Sequence, residues 1–249
     1  MSTQKLPKSL ARLVSLLATS IENEGALSPL RTKEIVQEAD VQIEDMMEYA
    51  AFDHPVEDCY GRNLIHDAGN FEIMAMSWKP GDYSSIHNHG YTEWGVVQTF
   101  GHCHHMLFHI RDNELRFSRK EILTAGSVVK VNNALIHQMG NGTSDPYMTL
   151  HVYGCNERDH HVTADAKNYA LELDQVILTC GGAFFNLPED PIHDIEPGPV
   201  PTNEVFIHNA GLVMDYYNRQ EPSPEISERK AQLLQKLENV IMAEEMMLV

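Results

Sequence analysis

His87 and His89 stand one residue apart within residues 81–101, GDYSSIHNHGYTEWGVVQTFG. On a strand, side chains two positions apart leave the same face, so these imidazoles can meet a single ion. Residues 126–153 supply the remainder: a short apolar strand, an Asn132-Asn133 turn and then His137, which can close a three-histidine face. The three together, in a glycine frame, are far more specific than an HxH pair, whose ordinary reading is hydrogen-bonded core or surface histidines. Three neutral imidazoles leave a divalent ion its full charge and open coordination positions. That suits an anionic ligand such as a thiolate, and iron(II) so held can also take O2. A closed cysteine-rich zinc site does not fit this spacing.

Such a site needs a scaffold, and the composition permits one. The 249 residues are 43% hydrophobic, enough for one large domain or a domain with appendages. Lys plus Arg number 18 against 36 Asp plus Glu, a net charge of −18 that repels nucleic acid and anionic membrane and favours a small-molecule partner. Cys59, Cys103, Cys155 and Cys180 form no CxxC pair and read as reduced thiols of a cytoplasmic protein. No stretch is long and apolar enough to cross a bilayer, and Arg12 interrupts the N-terminal apolar run, so no signal peptide is expected.

The period of the apolar residues predicts the elements. Leu10, Leu13, Val14, Leu17 and Ile21 recur at helical spacing, Ser28-Pro29 punctuates the chain, and a second helix is predicted from 32 or 33 to 50. From about residue 58 strands dominate: Phe71, Ile73 and Ala75 alternate with Glu72, Met74 and Met76. Further strands are predicted at 94–99, 103–110, 115–117, 127–131, 147–153 and 175–179, the texture of an antiparallel barrel or jelly roll. Beyond Pro188, PEDPIHDIEPGPVP reads as a surface arm. Ser223-Pro224-Glu225 then opens a helix whose stripe Ile226, Leu233, Leu234, Leu237, Val240 and Ile241 packs on the body or serves a homodimer. The expected division is a helical segment at 1–57, a barrel with the metal site at 58–188, and an arm with a C-terminal helix at 189–249.

Four ordered segments carry a family likeness. Tyr60-Gly61-Arg62-Asn63-Leu64, then Trp78 with Ser84-Ser85-Ile86-His87-Asn88-His89, then His137 with Asn141, then Thr149-Leu150-His151-Val152-Tyr153 together resemble the cysteine dioxygenase family of thiol dioxygenases, in the cupin superfamily. The likeness spans about 60–188. It implies a mainly β cupin jelly-roll, or double-stranded β-helix, with helices before and after it. It further implies Fe(II) on His87, His89 and His137, and Arg62, supported by Tyr60, on the substrate carboxylate. Tyr153 would donate a hydrogen bond near sulfur and oxygen, with His151 holding the phenol and Thr149 steadying His151. The alternation of Thr149, His151 and Tyr153 sets all three on one strand face, although by themselves they read equally as inward residues of a barrel. The implied reaction takes a small carboxylate-bearing thiol and O2 to a sulfinic acid, L-cysteine first, with mercaptosuccinate or another thiol acid open.

The chain also departs from the family pattern. Glu93-Trp94-Gly95 stands where animal members carry a cysteine cross-linked to the tyrosine, so no thioether to Tyr153 is expected. Glu93 is a possible fourth ligand, although the cupin spacing counted back from Gly101 lands on Trp94. Were Glu93 a ligand, a different metal-dependent cupin enzyme would follow. A non-catalytic cupin sensor, with the arm and final helix as its partner surface, is the other alternative. His102, His104, His105 and His109 crowd one segment, where a hydrogen-bonded strand surface is expected in place of a second metal site. His160, His161, His193 and His208 carry no sequence argument.

Overall fold

The computed structural model describes residues 5–156, 161–186 and 192–247. Helices α1 (Lys8–Glu24), α2 (Pro29–Ala39) and α3 (Ile43–Met46) come first. Strands follow: β1 (Gly61–Asp67), β2 (Phe71–Trp78), β3 (Ile86–His87), β4 (Trp94–Thr99), β5 (Cys103–Arg111), β6 (Glu114–Leu123), β7 (Val128–Val131), β8 (Ile136–Gly140) and β9 (Tyr147–Gly154). The chain continues through β10 (Ala166–Ala170), β11 (Gln175–Thr179), β12 (Ile192–Pro197) and β13 (Val200–Pro201), and closes with α4 (Asn203–Arg219) and α5 (Pro224–Met247). The strands make a sheet ordered β1-β2-β9-β4-β7 and another ordered β12-β11-β10-β3-β8-β5-β6-β13. The two enclose one interior as a double-stranded β-helix, the cupin architecture, with helices at both ends of the chain.

Strands β2 and β9 are buried along their whole length because both faces are covered. On one face Phe71, Ile73 and Ala75 of β2 and Met148, Leu150 and Val152 of β9 join Leu10, Leu13, Leu17, Ile35 and Val36 of the N-terminal helices. On the other, Met74, Met76, Trp78, Tyr147 and Tyr153 turn into the barrel. Period-two alternation thus sorts a helix-facing set from a site-facing set on the same strands.

Several elements differ from their sequence expectation. The second helix starts earlier, because Ser28 caps it by accepting from the Arg31 N–H at 3.2 Å with Pro29 in its first turn. It stops at Asp40, whose left-handed φ of 52° breaks the turn that apolar spacing alone would extend to 50. The Pro-rich arm is not free of the sheet. Strand β12 pairs antiparallel with β11 at the sheet edge, where proline costs no ladder hydrogen bond, and β13 pairs parallel with β6. Helix α4 was not expected; Thr202 caps it and it buries Val205, Phe206, Val213, Tyr216 and Tyr217 against the barrel core. Helix α5 packs intramolecularly through Leu233, Ile226, Leu237 and Val240, whereas Leu234 and Ile241 stay exposed.

A buried carboxylate ties the layers together ahead of the histidine pair. Asp82 is fully buried; its Oδ2 accepts from the Lys79 N–H at 2.6 Å and from His54 Nε2 at 3.0 Å, and its Oδ1 from Arg219 Nη1 at 3.0 Å. It therefore joins the segment after α3, the turn into β3 and the end of α4. Asp82→Ala strands these donors, with an expected loss of about 3–5 kcal/mol in urea denaturation. A loss below about 1 kcal/mol would show that the network is dispensable.

Candidate metal centre

Strand β3 pairs with β8 so that His87 faces His137, and the chain leaves β3 through Asn88 into His89. Gly90 follows with a φ of 54°, and a Cβ there would collide with the Ala164 carbonyl, so this close turn requires glycine. The ligand atoms of His87, His89 and His137 lie within 4.8 Å of one another, the only such metal-holding group among the described residues.

The hydrogen bonds around the rings decide where their lone pairs point. His87 Nδ1 lies 2.9 Å from the Ser85 carbonyl, which can only accept, so this nitrogen carries the proton and Nε2 is a lone pair. His105 Nδ1 lies 3.0 Å from Glu121 Oε1 and donates to it, leaving its Nε2 as an acceptor. His137 Nδ1, 2.9 Å from that Nε2, must then donate, and His137 Nε2 is a lone pair as well. The two Nε2 atoms face each other at 3.2 Å. Two lone pairs that close repel unless a cation lies between them, and metal–imidazole bonds of ~2.0–2.1 Å let both reach one ion. His89 is 3% exposed, and among the described residues neither ring nitrogen has a hydrogen-bond partner. The Asn132 backbone approaches its ring without reaching hydrogen-bond geometry.

Burial lowers the His87 pKa to about 4 and holds His89 and His137 well below the ordinary histidine value, with mutual repulsion adding to the effect. All three rings are therefore neutral at physiological pH, the form that ligates. Three neutral nitrogen donors with no carboxylate fit a divalent ion with open positions.

Glu93 takes no part in this group. It is exposed, and its Oε2 accepts from the Asn156 backbone N–H at 2.6 Å. The turn after His89 sends its side chain outward while Trp94 goes into the helix-facing core. His105 was expected on a strand surface and is instead 2% exposed behind His137, with Glu121 held in turn by Arg119 at 2.5 Å. Its β5–β8 pairing, invisible in the HxHH run, brings it there. His104 meets the Tyr83 hydroxyl at 2.8 Å, and His102 and His109 are exposed.

On β9, the three residues at period two form a chain. Trp78 Nε1, which can only donate, gives its proton to Thr149 Oγ1 at 2.9 Å. Thr149 Oγ1 lies 2.7 Å from His151 Nε2, and His151 Nδ1 lies 2.7 Å from the Tyr153 hydroxyl. The polarity that satisfies every donor has Thr149 donating to His151 and His151 donating to Tyr153, which frees the Tyr153 O–H to donate elsewhere. Burial lowers the His151 pKa to about 3 and pushes the Tyr153 phenol up, so both are neutral. The Tyr153 and His89 rings lie 5.5 Å apart, and His87, His89, His151 and Tyr153 line one narrow cavity with Tyr60 and Trp78.

Tyr60 stacks on Trp78 at 4.6 Å, and its hydroxyl accepts from the Ala183 N–H at 3.2 Å. Arg62 is in register with Met76, a cavity residue, on the inward face of β1. Its charge acts on Tyr60, His151 and Tyr153, and on the buried Glu72 carboxylate. Among the described residues, Arg62 Nη2 donates to the Met74 thioether at 3.4 Å, and its buried Nε has no hydrogen-bond partner. A guanidinium so poorly satisfied fits an anion.

Removing the outer support of His137 should be felt at the metal. His105→Ala is expected to weaken divalent-ion binding about 10–100-fold in a chelator competition. Glu93→Gln is expected to leave it unchanged. Equal affinity for His105→Ala and the unaltered protein would show that His137 needs no such support.

The chain is similar to known proteins. The family model for cysteine dioxygenase type I matches residues 2–157, starting and ending further toward the N-terminus than the expected span of about 60–188. The cysteine dioxygenase type 1 of Danio rerio is 25% identical over 154 residues, covering 59% of this chain and 75% of that protein. That of Bos taurus is 26% identical over 153 residues, covering 59% and 74%. Among solved structures, a Klebsiella pneumoniae protein described as having a double-stranded beta-helix domain is 13% identical, with a TM-score of 0.35 over 45% of this chain and 89% of that chain. With that family model aligned across more than half its length, the chain belongs to the cysteine dioxygenase type I family.

Proposed function

We propose that the protein is an iron-dependent thiol dioxygenase that converts a small carboxylate-bearing thiol, L-cysteine first, to its sulfinic acid. The overall change adds both atoms of O2 to sulfur, RSH + O2 giving RSO2H. The observation that carries the reading is the pair of Nε2 lone pairs of His87 and His137 facing each other at 3.2 Å, beside a His89 whose ring nitrogens have no hydrogen-bond partner among the described residues. A ferrous ion on these rings would supply open positions for a thiolate and for O2.

The remaining roles follow from what each side chain has left to give. Arg62, with an unpartnered buried N–H, binds the carboxylate, and the stacked Tyr60 fixes that end of the pocket. The Tyr153 O–H, freed by the polarity of the Trp78-Thr149-His151 chain, donates to the reacting sulfur and oxygen. Met76, Trp78 and Met139 keep the cavity apolar and exclude water. The exposed position of Glu93 gives no support to a four-ligand cupin chemistry. Buried thiols outside any disulfide at Cys59, Cys103 and Cys155 suit the reducing cytoplasm, where we place the protein.

Metal analysis of the purified protein, followed by O2 uptake across a panel of thiols, tests this. Iron is expected in the protein, with L-cysteine consumed alongside O2 and a product two oxygen atoms heavier. In Arg62→Ala the advantage of cysteine over cysteamine, which lacks the carboxylate, should shrink about 10–100-fold in kcat/KM, the contribution of a charge-assisted hydrogen bond. O2 uptake with no thiol, or uptake that yields disulfide alone, would rule the reading out.

A further inference from the structure

On the outer wall of the metal cavity, three adjacent strands bring together a second set of reactive side chains. Cys180, at the end of β11, is exposed, and its Sγ lies 3.0 Å from Nε2 of His193 on β12. His193 Nδ1 lies 3.0 Å from Oδ1 of Asp165, the residue that enters β10. Asp165 is held on its other oxygen by the Tyr91 hydroxyl at 2.8 Å and has a left-handed φ of 57°. A carboxylate only accepts, so His193 Nδ1 carries the proton and Nε2 turns its lone pair to the sulfur. This is the order of groups that activates a nucleophilic thiol: a base within reach of the sulfur, itself oriented by an acid.

The surroundings select among the reactions such a thiol can perform. Acyl transfer needs donors for an oxyanion, yet the Gly181 N–H beside the sulfur is given to Thr179 Oγ1 at 3.2 Å. Thiol–disulfide exchange needs only an accessible thiolate and a place for its proton. We propose that Cys180 is a nucleophilic thiol, primed by His193 and Asp165, that exchanges with small disulfides to form a mixed disulfide at the cavity rim. His193 takes the Cys180 proton. The thiolate attacks one sulfur of R–S–S–R, a new S–S bond forms as the old one breaks, and RS⁻ leaves with the electron pair and is protonated by His193. The adduct stands next to Gly181 and Ala166, both of which line the metal cavity. The step uses no metal, so its outcome is separate from that of the oxidation proposed above.

Reduced full-length protein is mixed anaerobically with L-cystine, and the adduct is followed by intact mass and located by peptide mapping. The expected result is one cysteine adduct, on Cys180 and absent from Cys180→Ser, because Cys59, Cys103 and Cys155 are buried. His193→Gln and Asp165→Asn, both at exposed or half-buried positions, should slow its formation at neutral pH about tenfold or more. An adduct on another cysteine, no adduct, or equal rates in His193→Gln and the unaltered protein would overturn the proposal.

Discussion

The structure depends on two imidazole lone pairs being forced to face one another. Nothing intrinsic to His87 and His137 makes them do so. The Ser85 carbonyl fixes one tautomer, and the Glu121-His105 pair fixes the other by handing hydrogen-bond direction inward across two rings. Each outward bond leaves the inward nitrogen unprotonated, and burial keeps the rings neutral. The repulsion that results is relieved by a cation, so the pocket's preference for a metal is written in the hydrogen bonds behind it as much as in the ligands.

The fold keeps that arrangement in place by burying both faces of the strands next to it. Helix-facing residues of β2 and β9 anchor the sheet while their neighbours, at odd-even alternation, line the cavity. The same alternation strings Thr149, His151 and Tyr153 into a directional chain that starts at an indole able only to donate. Asp82 joins the turn before β3 to the segment after α3 and to the end of α4, so parts of the chain from before and after the barrel meet at the approach to the metal strand.

What could be read from residues alone was what short-range periodicity governs. The HxH pair, the β9 trio and the apolar faces of α1 and β2 follow from spacing on a strand or helix, and His137 from its turn and strand context. What was lost depended on pairing between distant segments. His105 looks like one of several surface histidines until β5 lies against β8, and Cys180, Asp165 and His193 are scattered until β10, β11 and β12 align. Helix α4 was hidden by the proline-rich texture just before it, and the early end of α2 by apolar residues that keep helical spacing past a left-handed Asp40. Glu93 stayed ambiguous because one residue of register in the turn after His89 decides whether a side chain points in or out.

The most direct test is X-ray absorption at the iron edge of protein loaded with iron(II), before and after anaerobic addition of L-cysteine. A shell with three imidazoles and no Glu93 carboxylate is expected, which then gains a sulfur scatterer. A shell lacking His137, or one that gains no sulfur, would contradict it.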